Sequence, residues 1–241
     1  LQVTPGTEQA GSGRQARPAH RAGTLLPVAE QTRARGVHGL RSRGRTTVLD
    51  LVPAKWKARR LYPAGRLDFF SEGLVLLTDD GELTNRVVHP RHHMPRVYHV
   101  LIRGGVSDRA LEVMRKGMTL AEGEKLAPVE IRVLPGQVHD LSGVSRNAGP
   151  PAGQRGTLLE MTLHQGLNRQ IRRMCEAHGF KVERLKRVRI MNIRLGGLKT
   201  GEYREVSGRE YGELLKELSA SSSLPYAAQK EREGRSGHHG T

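Results

Sequence analysis

The alternation of apolar and polar positions predicts short strands and helices in the first half of the chain. A continuous apolar run over 74–78 has the length of a buried strand, and the turn signal Asp80-Gly81 then precedes a short helix over 82–89. The apolar positions of 97–102 predict a second strand. Loop, strand, turn and helix therefore follow one another closely in this region.

The second half of the chain continues this mixture. The predicted elements are helices over 107–116, 168–179 and 208–218 and strands over 129–133 and 159–163. Ser107 and Asn168 are typical helix caps, and Ser207 with Glu210 forms a capping box. Because strands and helices mix without a repeating strand–helix–strand rhythm, we expect an α+β fold with a mixed, largely antiparallel central sheet flanked by helices.

Composition changes twice along the chain. Residues 1–45 contain eight arginines, no lysine and no sustained apolar period, so we expect a basic, disordered arm there. A short β-rich run over 46–52 marks the start of a folded domain that we place at 46–218, and residues 219–241 are expected to form a disordered tail. Because the first residue is Leu1 and not Met, we expect a truncated or aberrant start.

The balance of charges favours an anionic partner. Forty Lys and Arg residues against twenty-four Asp and Glu residues give a formal net charge of +16, which favours nucleic acid. No apolar run approaches about twenty residues and no signal peptide is recognisable, so we expect a cytoplasmic protein that does not bind membranes. The single cysteine, Cys175, excludes an internal disulfide or a cysteine-rich zinc site.

Cations concentrate on two consecutive predicted elements. On helix 168–179, Arg169, Arg172 and Arg173 share a face that differs from the apolar one. Segment 181–199 adds seven Lys or Arg residues and one acid, interleaved with apolar positions as in a strand that holds its cations on one side. A solvated charged face is the ordinary interpretation, but the two elements together form a basic surface suited to contacting the phosphates of a nucleic acid.

Asp68 has two interpretations. Composition alone favours a carboxylate that caps a turn. However, Phe69 and Phe70 would tend to bury it, and a buried carboxylate requires a cationic partner or becomes protonated. Arg66 or the basic helix could supply that cation. A carboxylate kept ionised by an arginine, in a pocket walled by aromatic residues, is a usable nucleophile or general base.

Other candidate residues favour structural roles. His89, His92 and His93 lack a paired acidic or cysteine ligand, so a flexible polar loop is a better interpretation than a metal site. Cys175 lies on an apolar helix face and is expected in the core, and Tyr98 in mid-strand is ordinarily a packing residue. No phosphate-binding or serine-hydrolase motif is present, so nucleotide cofactors and serine hydrolysis have no support.

Several motifs in order resemble a known family. They are GRLDFFSEGLVLLTDDGEL, HPRHHMPRVYHV, LEMTLHQGLNRQIRRMCEAHGFKVERLKRVRI and LGGLKTGEYREV. Over about 45–218, this series resembles the bacterial ribosomal pseudouridine synthases, namely the type A enzymes for the small ribosomal subunit, together with the type B enzymes for the large one. The resemblance implies the pseudouridine synthase fold and the isomerisation of a specific uridine in ribosomal RNA to pseudouridine.

The resemblance also implies roles for particular residues. Asp68 matches the catalytic aspartate, Tyr98 matches the active-site tyrosine that stacks on the base or takes its carbon-5 proton, and Arg172 matches the basic partner of the aspartate. No cofactor and no metal are used in this family. The RNA contacts that we predict come from Arg66, Arg169, Arg173, Lys186, Arg187 and Arg189. The target uridine must leave its stack to reach such a pocket.

The sequence departs from the family pattern in three respects. The segment before GRTTVLDLV lacks the usual first strand and turn, so we expect that strand to be damaged or replaced, and residues 1–45 show nothing like the S4 RNA-binding domain of many relatives. His164-Gln165-Gly166-Leu167 replaces more usual acidic and basic residues, which affects the expected RNA contacts and not the reaction class.

Three hypotheses follow for the function. The leading one is a ribosomal RNA pseudouridine synthase that acts as a monomer. The alternative is a non-catalytic ribosomal RNA-binding or ribosome-assembly protein that kept the fold, although binding alone would not require Asp68, Tyr98 and Arg172 together. A generic basic nucleic-acid-binding protein would explain the charge but not the acidic motif flanked by aromatic residues.

Overall fold

The structure is a computed structural model and describes residues 27–31, 47–89, 92–134, 139–140 and 155–221. Within these residues the α-helices are α1 Ala54–Lys57, α2 Gly81–Val88, α3 Asp108–Lys116, α4 Gln170–Ala177 and α5 Gly208–Ser221, and a 3-10 helix covers Val48–Leu51. The strands are β1 Pro27–Gln31, β2 Tyr62–Pro63, β3 Glu72–Thr78, β4 Arg96–Arg103, β5 Met118–Thr119, β6 Lys125–Leu126, β7 Glu130–Val133, β8 His139–Asp140, β9 Arg155–Leu163, β10 Val182–Ile190, β11 Ile193–Arg194 and β12 Tyr203–Glu205.

One large sheet organises the described part of the chain. Its strand order is β12-β1-β3-β10-β4-β9-β7, with β2, β8 and β11 paired at its margins, and β5 and β6 form a separate pair. Strands β3 and β10 pair in parallel, whereas the other strand pairs of the described residues are antiparallel. The predicted α+β fold with a mixed, largely antiparallel sheet is confirmed.

Strand β3 is buried along its whole length because both of its faces are covered. Leu74 and Leu76 belong to a core cluster that includes residues of α2 and α5, while Val75 and Leu77 belong to another that includes Trp56 of α1. Side chains alternate between the faces of a strand, so this split follows directly from the sequence order. The continuous apolar run predicted over 74–78 is therefore a strand buried on both sides.

Helices α3 and α4 cover the other end of the sheet. Leu111 and Met114 of α3, and Ile171 and Met174 of α4, pack with buried residues of β4, β7 and β9 in a third core cluster. Ser107 caps α3 by accepting a hydrogen bond from the backbone N–H of Ala110 at 3.3 Å, as predicted. This cluster fixes the position of α4, which carries the arginines of the predicted basic face.

Three local predictions differ from the structure. Within the run over 46–52, Val48–Leu51 form a 3-10 helix in place of a strand, because the Asp50 carboxylate accepts the Thr47 backbone N–H at 2.7 Å and closes a tight turn. Helix α4 is capped by Arg169 in the left-handed conformation and not by Asn168. Helix α5 begins after the predicted Ser207 capping box but continues to Ser221, three residues into the predicted tail.

Strand β1 lies inside the segment 1–45 that was predicted to be a disordered arm. It pairs antiparallel with β3 on one side and with β12 on the other, so backbone hydrogen bonding supplies order that its composition does not indicate. It occupies the place in the sheet where we expected a damaged or replaced first strand. The rest of the predicted arm before Thr47, and the predicted tail after Ser221, lie outside the described residues.

No helix in the described part of the chain is long and apolar enough to cross a membrane.

Candidate active site

Asp68 lies in the loop between β2 and β3. Its Oδ1 atom accepts a hydrogen bond from the backbone N–H of Phe70 at 2.9 Å, and its backbone carbonyl accepts one from Ser71 at 3.1 Å. A side chain that bonds the backbone two residues ahead stabilises a tight turn, which is the ordinary role considered for this residue. The turn leaves the carboxylate partly accessible, with the side chain 24% exposed.

Arg172 of α4 supplies the cation that the sequence required for Asp68. The side chain of Arg172 is only 10% exposed, and its Nε atom lies 3.7 Å from Oδ2 of Asp68. Its Nη2 atom also donates a hydrogen bond of 2.9 Å to the backbone carbonyl of Phe70. The same guanidinium therefore contacts both the carboxylate and the turn that holds it, across about a hundred residues of sequence.

The aromatic wall predicted around Asp68 is not formed. Phe69 and Phe70 are 52% and 56% exposed, so their side chains point to solvent and do not bury the carboxylate. The turn at Asp68 explains this, because it directs the following two side chains away from the core. The site is therefore a half-open carboxylate–arginine pair and not an apolar pocket.

The burial of Arg187 contradicts one predicted RNA contact. We expected it on an exposed basic face, but it is 3% exposed and donates hydrogen bonds from Nε to the Leu74 carbonyl at 2.8 Å and from Nη1 to the Arg66 carbonyl at 3.3 Å. A guanidinium buried in this way cannot reach a phosphate at the surface. Instead it joins β10, β3 and the loop that carries Asp68. The sequence could have indicated this burial, because Arg187 follows the apolar Leu185 by two residues and strand positions two apart share a face. Leu185 is buried in the structure.

Tyr98 lies on β4 directly opposite Arg187 of β10, which in turn pairs with Gly73 of β3. Opposed residues on neighbouring strands share one face of a sheet, so Tyr98 belongs to the row of the sheet that meets the Asp68 loop. Burial lowers the pKa of nearby Arg96, whose charge interacts with both Tyr98 and Arg187. Tyr98 itself is half-buried against the core cluster of α3 and α4.

The other predicted RNA contacts differ in exposure and in the interactions that the structure gives them. Arg66 is exposed, and Lys186 and Arg189 are partly exposed. Arg169 lies 3.6 Å from a carboxylate oxygen of Glu176 in its own helix. Arg173 is paired with Glu124 and lies 3.4 Å from Glu122, both of the β5–β6 hairpin, so much of its charge is already compensated. The roles of these residues toward RNA stay predictions.

Two residues beside the site were missed as contributors. Glu72, at the start of β3, is only 9% exposed and forms an ion pair with Arg184 of β10. Gly73 has φ of +110°, and a Cβ atom there would lie 2.3 Å from the Arg187 carbonyl oxygen. Both residues join β3 to β10 at the exit of the Asp68 loop. The segment Ser71-Glu72-Gly73, which follows the two phenylalanines, was the part of the sequence that could have indicated these roles.

Cys175 is a buried core residue, and the histidines belong to no metal site among the described residues. Burial raises the pKa of the Cys175 thiol to about 12, which keeps it protonated in the core as the sequence predicted. No group of three or more His, Cys, Asp or Glu residues that could hold a metal ion occurs in the part of the chain that the structure describes.

The α+β fold brings a carboxylate and an arginine together in a basic chain, which fits an enzyme with an anionic substrate, and comparison with known proteins identifies the family. Residues 30–177 match the model of the RNA pseudouridylate synthase family. The chain is 38% identical over 189 residues to a protein of Aquifex aeolicus called an uncharacterized RNA pseudouridine synthase, covering 78% of this chain and 67% of that protein. It is 34% identical to the ribosomal large subunit pseudouridine synthase B of Bacillus subtilis, covering 71% of this chain and 64% of that protein.

A solved structure agrees with this match. The crystal structure of a pseudouridylate synthase superposes with a TM-score of 0.65 at 25% identity, covering 80% of this chain and 74% of the other. The chain therefore belongs to the RNA pseudouridylate synthase family. It spans about two thirds of the length of the curated relatives named above.

Proposed function

We propose that this chain isomerises a uridine of ribosomal RNA to pseudouridine, with Asp68 as the catalytic carboxylate. The observation that carries the proposal is the contact of Arg172 with both Asp68 and the turn that holds it, in a chain of the RNA pseudouridylate synthase family. The relatives include a protein named for the large ribosomal subunit, which supports ribosomal RNA as the substrate class. We also propose that the protein is a soluble, cytoplasmic monomer.

The chemistry requires one bond to break and another to form on the same two fragments. Asp68 would either attack the ribose carbon 1′, with the uracil leaving on the electron pair of the glycosidic bond, or remove the 2′ proton so that uracil leaves by elimination. After uracil turns, its carbon 5 bonds to carbon 1′. On the first route this displaces the Asp68 carboxylate from carbon 1′, and on the second Asp68 returns the proton to carbon 2′. The carbon-5 proton is then lost to a base and nitrogen 1 of uracil takes up a proton. A half-buried carboxylate beside the Arg172 guanidinium suits either route.

Tyr98 and the exposed cations complete the proposed site. Tyr98, in the sheet row of Arg187, would stack on the uracil or accept the carbon-5 proton. Arg66, exposed two residues before Asp68, would hold the phosphate beside the flipped nucleotide. The alternative, a non-catalytic RNA-binding or ribosome-assembly protein, is tested by the same experiment.

The test is tritium release from ribosomal RNA that carries tritium at carbon 5 of uridine. Transcripts of the small and the large ribosomal RNA are treated with the wild-type chain, Asp68→Asn and the matched control Asp108→Asn, which changes an exposed aspartate on α3. We expect release by the wild type and the control, and a loss of at least about a hundredfold for Asp68→Asn. Equal release by Asp68→Asn would remove Asp68 from the mechanism, and no release by the wild type would favour the binding protein.

A further inference from the structure

Two phenylalanines beside Asp68 are exposed to solvent. Phe69 is 52% and Phe70 56% exposed, and the other large hydrophobic residues of comparable exposure in the described chain are the valines at 88, 113 and 133. Leaving a phenylalanine in water forgoes about 1.5–3 kcal/mol of burial. The two rings contact each other edge to face, with centroids 5.2 Å apart and planes at 88°.

The backbone that carries these rings is fixed to the proposed catalytic pair. The N–H of Phe70 donates to the Asp68 carboxylate, and the carbonyl of Phe70 accepts a hydrogen bond from Arg172. A change in the position of this backbone would break both contacts. The rings are therefore presented at a set distance from Asp68 and not on an independent loop.

Arginines lie at both ends of the segment that carries the rings. Arg66 is exposed three residues before Phe69, and Arg184, whose side chain is 50% exposed although it is ion-paired, contacts Glu72 two residues after Phe70. Aromatic rings beside cations are the combination that proteins use to hold unpaired RNA, because bases stack on the rings while phosphates contact the cations. A protein partner would favour a wider apolar surface than two adjacent rings.

We propose that Phe69 and Phe70 form a stacking surface for an unpaired base that neighbours the target uridine in the RNA. The inference rests on the proposed function in one respect, because it takes Asp68 as the point where the target uridine is held. When the uridine leaves its stack, the adjacent base loses a stacking partner. The exposed rings replace that partner and reduce the cost of extruding the uridine.

The test measures stacking separately from turnover. The probe is an RNA stem-loop with one uridine in the loop and 2-aminopurine beside it, and its fluorescence and Kd are measured with Asp68→Asn so that the RNA is not converted. In this background Phe69→Leu and Phe70→Leu keep an apolar side chain but remove the ring, Phe70→Trp restores a ring, and Val133→Ala controls for loss of an exposed apolar residue.

We expect quenching of 2-aminopurine in the parent and in Phe70→Trp, and reduced quenching with a roughly 5- to 150-fold higher Kd for the leucine variants. The slope of log Kd against log salt concentration should stay the same, since no phosphate contact is removed. Unchanged Kd and quenching in both leucine variants would overturn the stacking surface, as would an equal loss in Val133→Ala. Melting temperatures by circular dichroism identify any variant that fails to fold, and Phe70→Trp keeps the inference testable in that case.

The outcomes separate this inference from the proposed function. If the wild type releases no tritium from ribosomal RNA but the leucine variants lose quenching, the isomerase proposal fails and the stacking surface stands. If tritium release is observed and the leucine variants bind and quench like the parent, the isomerase proposal stands and the stacking surface fails.

Discussion

Two buried arginines contact the Asp68 loop, and their contacts give them different roles. Arg172 lies beside the carboxylate and bonds the Phe70 carbonyl, so it acts on the charge and on the turn together. Arg187 instead bonds the carbonyls of Leu74 and Arg66 on either side of the turn, and its Nη2 atom is buried without a hydrogen-bond partner among the described residues. We therefore infer that Arg187 positions the loop and does not contact RNA.

Arg187→Lys tests this positioning role. Lysine keeps the charge but has one nitrogen in place of the Nε and Nη1 atoms that bond the two carbonyls, so we expect the free energy of unfolding to fall by about 1–3 kcal/mol. Tritium release should slow through kcat while KM for RNA stays close to that of the wild type. Arg189→Lys, on the same strand but partly exposed, is the matched control and should leave stability unchanged.

The opposite result would indicate that Arg187 contacts RNA. A higher Kd for RNA and a smaller salt dependence, with normal urea unfolding, would show that the side chain contacts a phosphate in solution. Such a result would contradict its burial in the described structure.

At the scale of elements, the parallel pairing of β3 with β10 sets the position of the loop that carries Asp68. The two strands are more than a hundred residues apart in sequence, and they pair through Glu72 and Gly73 opposite Lys186 and Arg187. Gly73 takes a positive φ of +110° at this close approach. A side chain there has no room, because it would meet backbone atoms of the neighbouring strand.

Gly73→Ala should therefore separate β3 from β10. The new Cβ atom would lie 2.3 Å from the Arg187 carbonyl oxygen and 2.7 Å from its nitrogen, in a backbone conformation that alanine disfavours. We expect a loss of about 3 kcal/mol or more in urea unfolding, with tritium release lost in proportion to the displaced Asp68 loop. Gly105→Ala, where nothing lies within 4 Å of the added Cβ atom, is the control. A Gly73→Ala variant as stable as this control would contradict the close approach.

The elements that could be predicted from the sequence are those decided by local chemistry. The buried run of β3, the Ser107 cap of α3 and the Ser207–Glu210 capping box depend on residues within a few positions of each other, and they are found as predicted. The 3-10 turn at Thr47 depends on a side-chain hydrogen bond that a β-rich composition does not indicate. Local pattern alone is therefore least reliable where a single polar contact decides the conformation.

The candidate site was predictable only in part, because it is assembled from distant segments. A carboxylate in need of a cation is visible in the sequence around Asp68, but its contact with Arg172 depends on tertiary structure and was expected only through family resemblance. The inward position of Arg187 and the pairing of Arg173 with the β5–β6 hairpin depend on strand register and packing. Charge counts along a segment do not distinguish a cation facing RNA from one facing a carbonyl or a glutamate.

At the scale of the whole molecule, the net charge of +16 makes RNA affinity depend on salt, while catalysis depends on one carboxylate. Asp68→Asn should therefore bind ribosomal RNA with a Kd within about threefold of the wild type and with the same salt slope, because phosphate contacts come from cations.

Arg66→Gln should weaken binding and reduce the slope by about one, as expected for one lost phosphate contact.

Filter binding between low and physiological salt measures these slopes, and Lys55→Gln is the matched control. Lys55 is an exposed cation of α1 that lies 2.9 Å from Glu205 on β12 and that has no proposed RNA contact, so its removal should leave the slope unchanged. Equal slopes for Arg66→Gln and Lys55→Gln would show that affinity comes from the diffuse positive charge. A smaller slope for Arg66→Gln alone would place a phosphate beside the Asp68 loop, since only a discrete contact releases a countable number of ions.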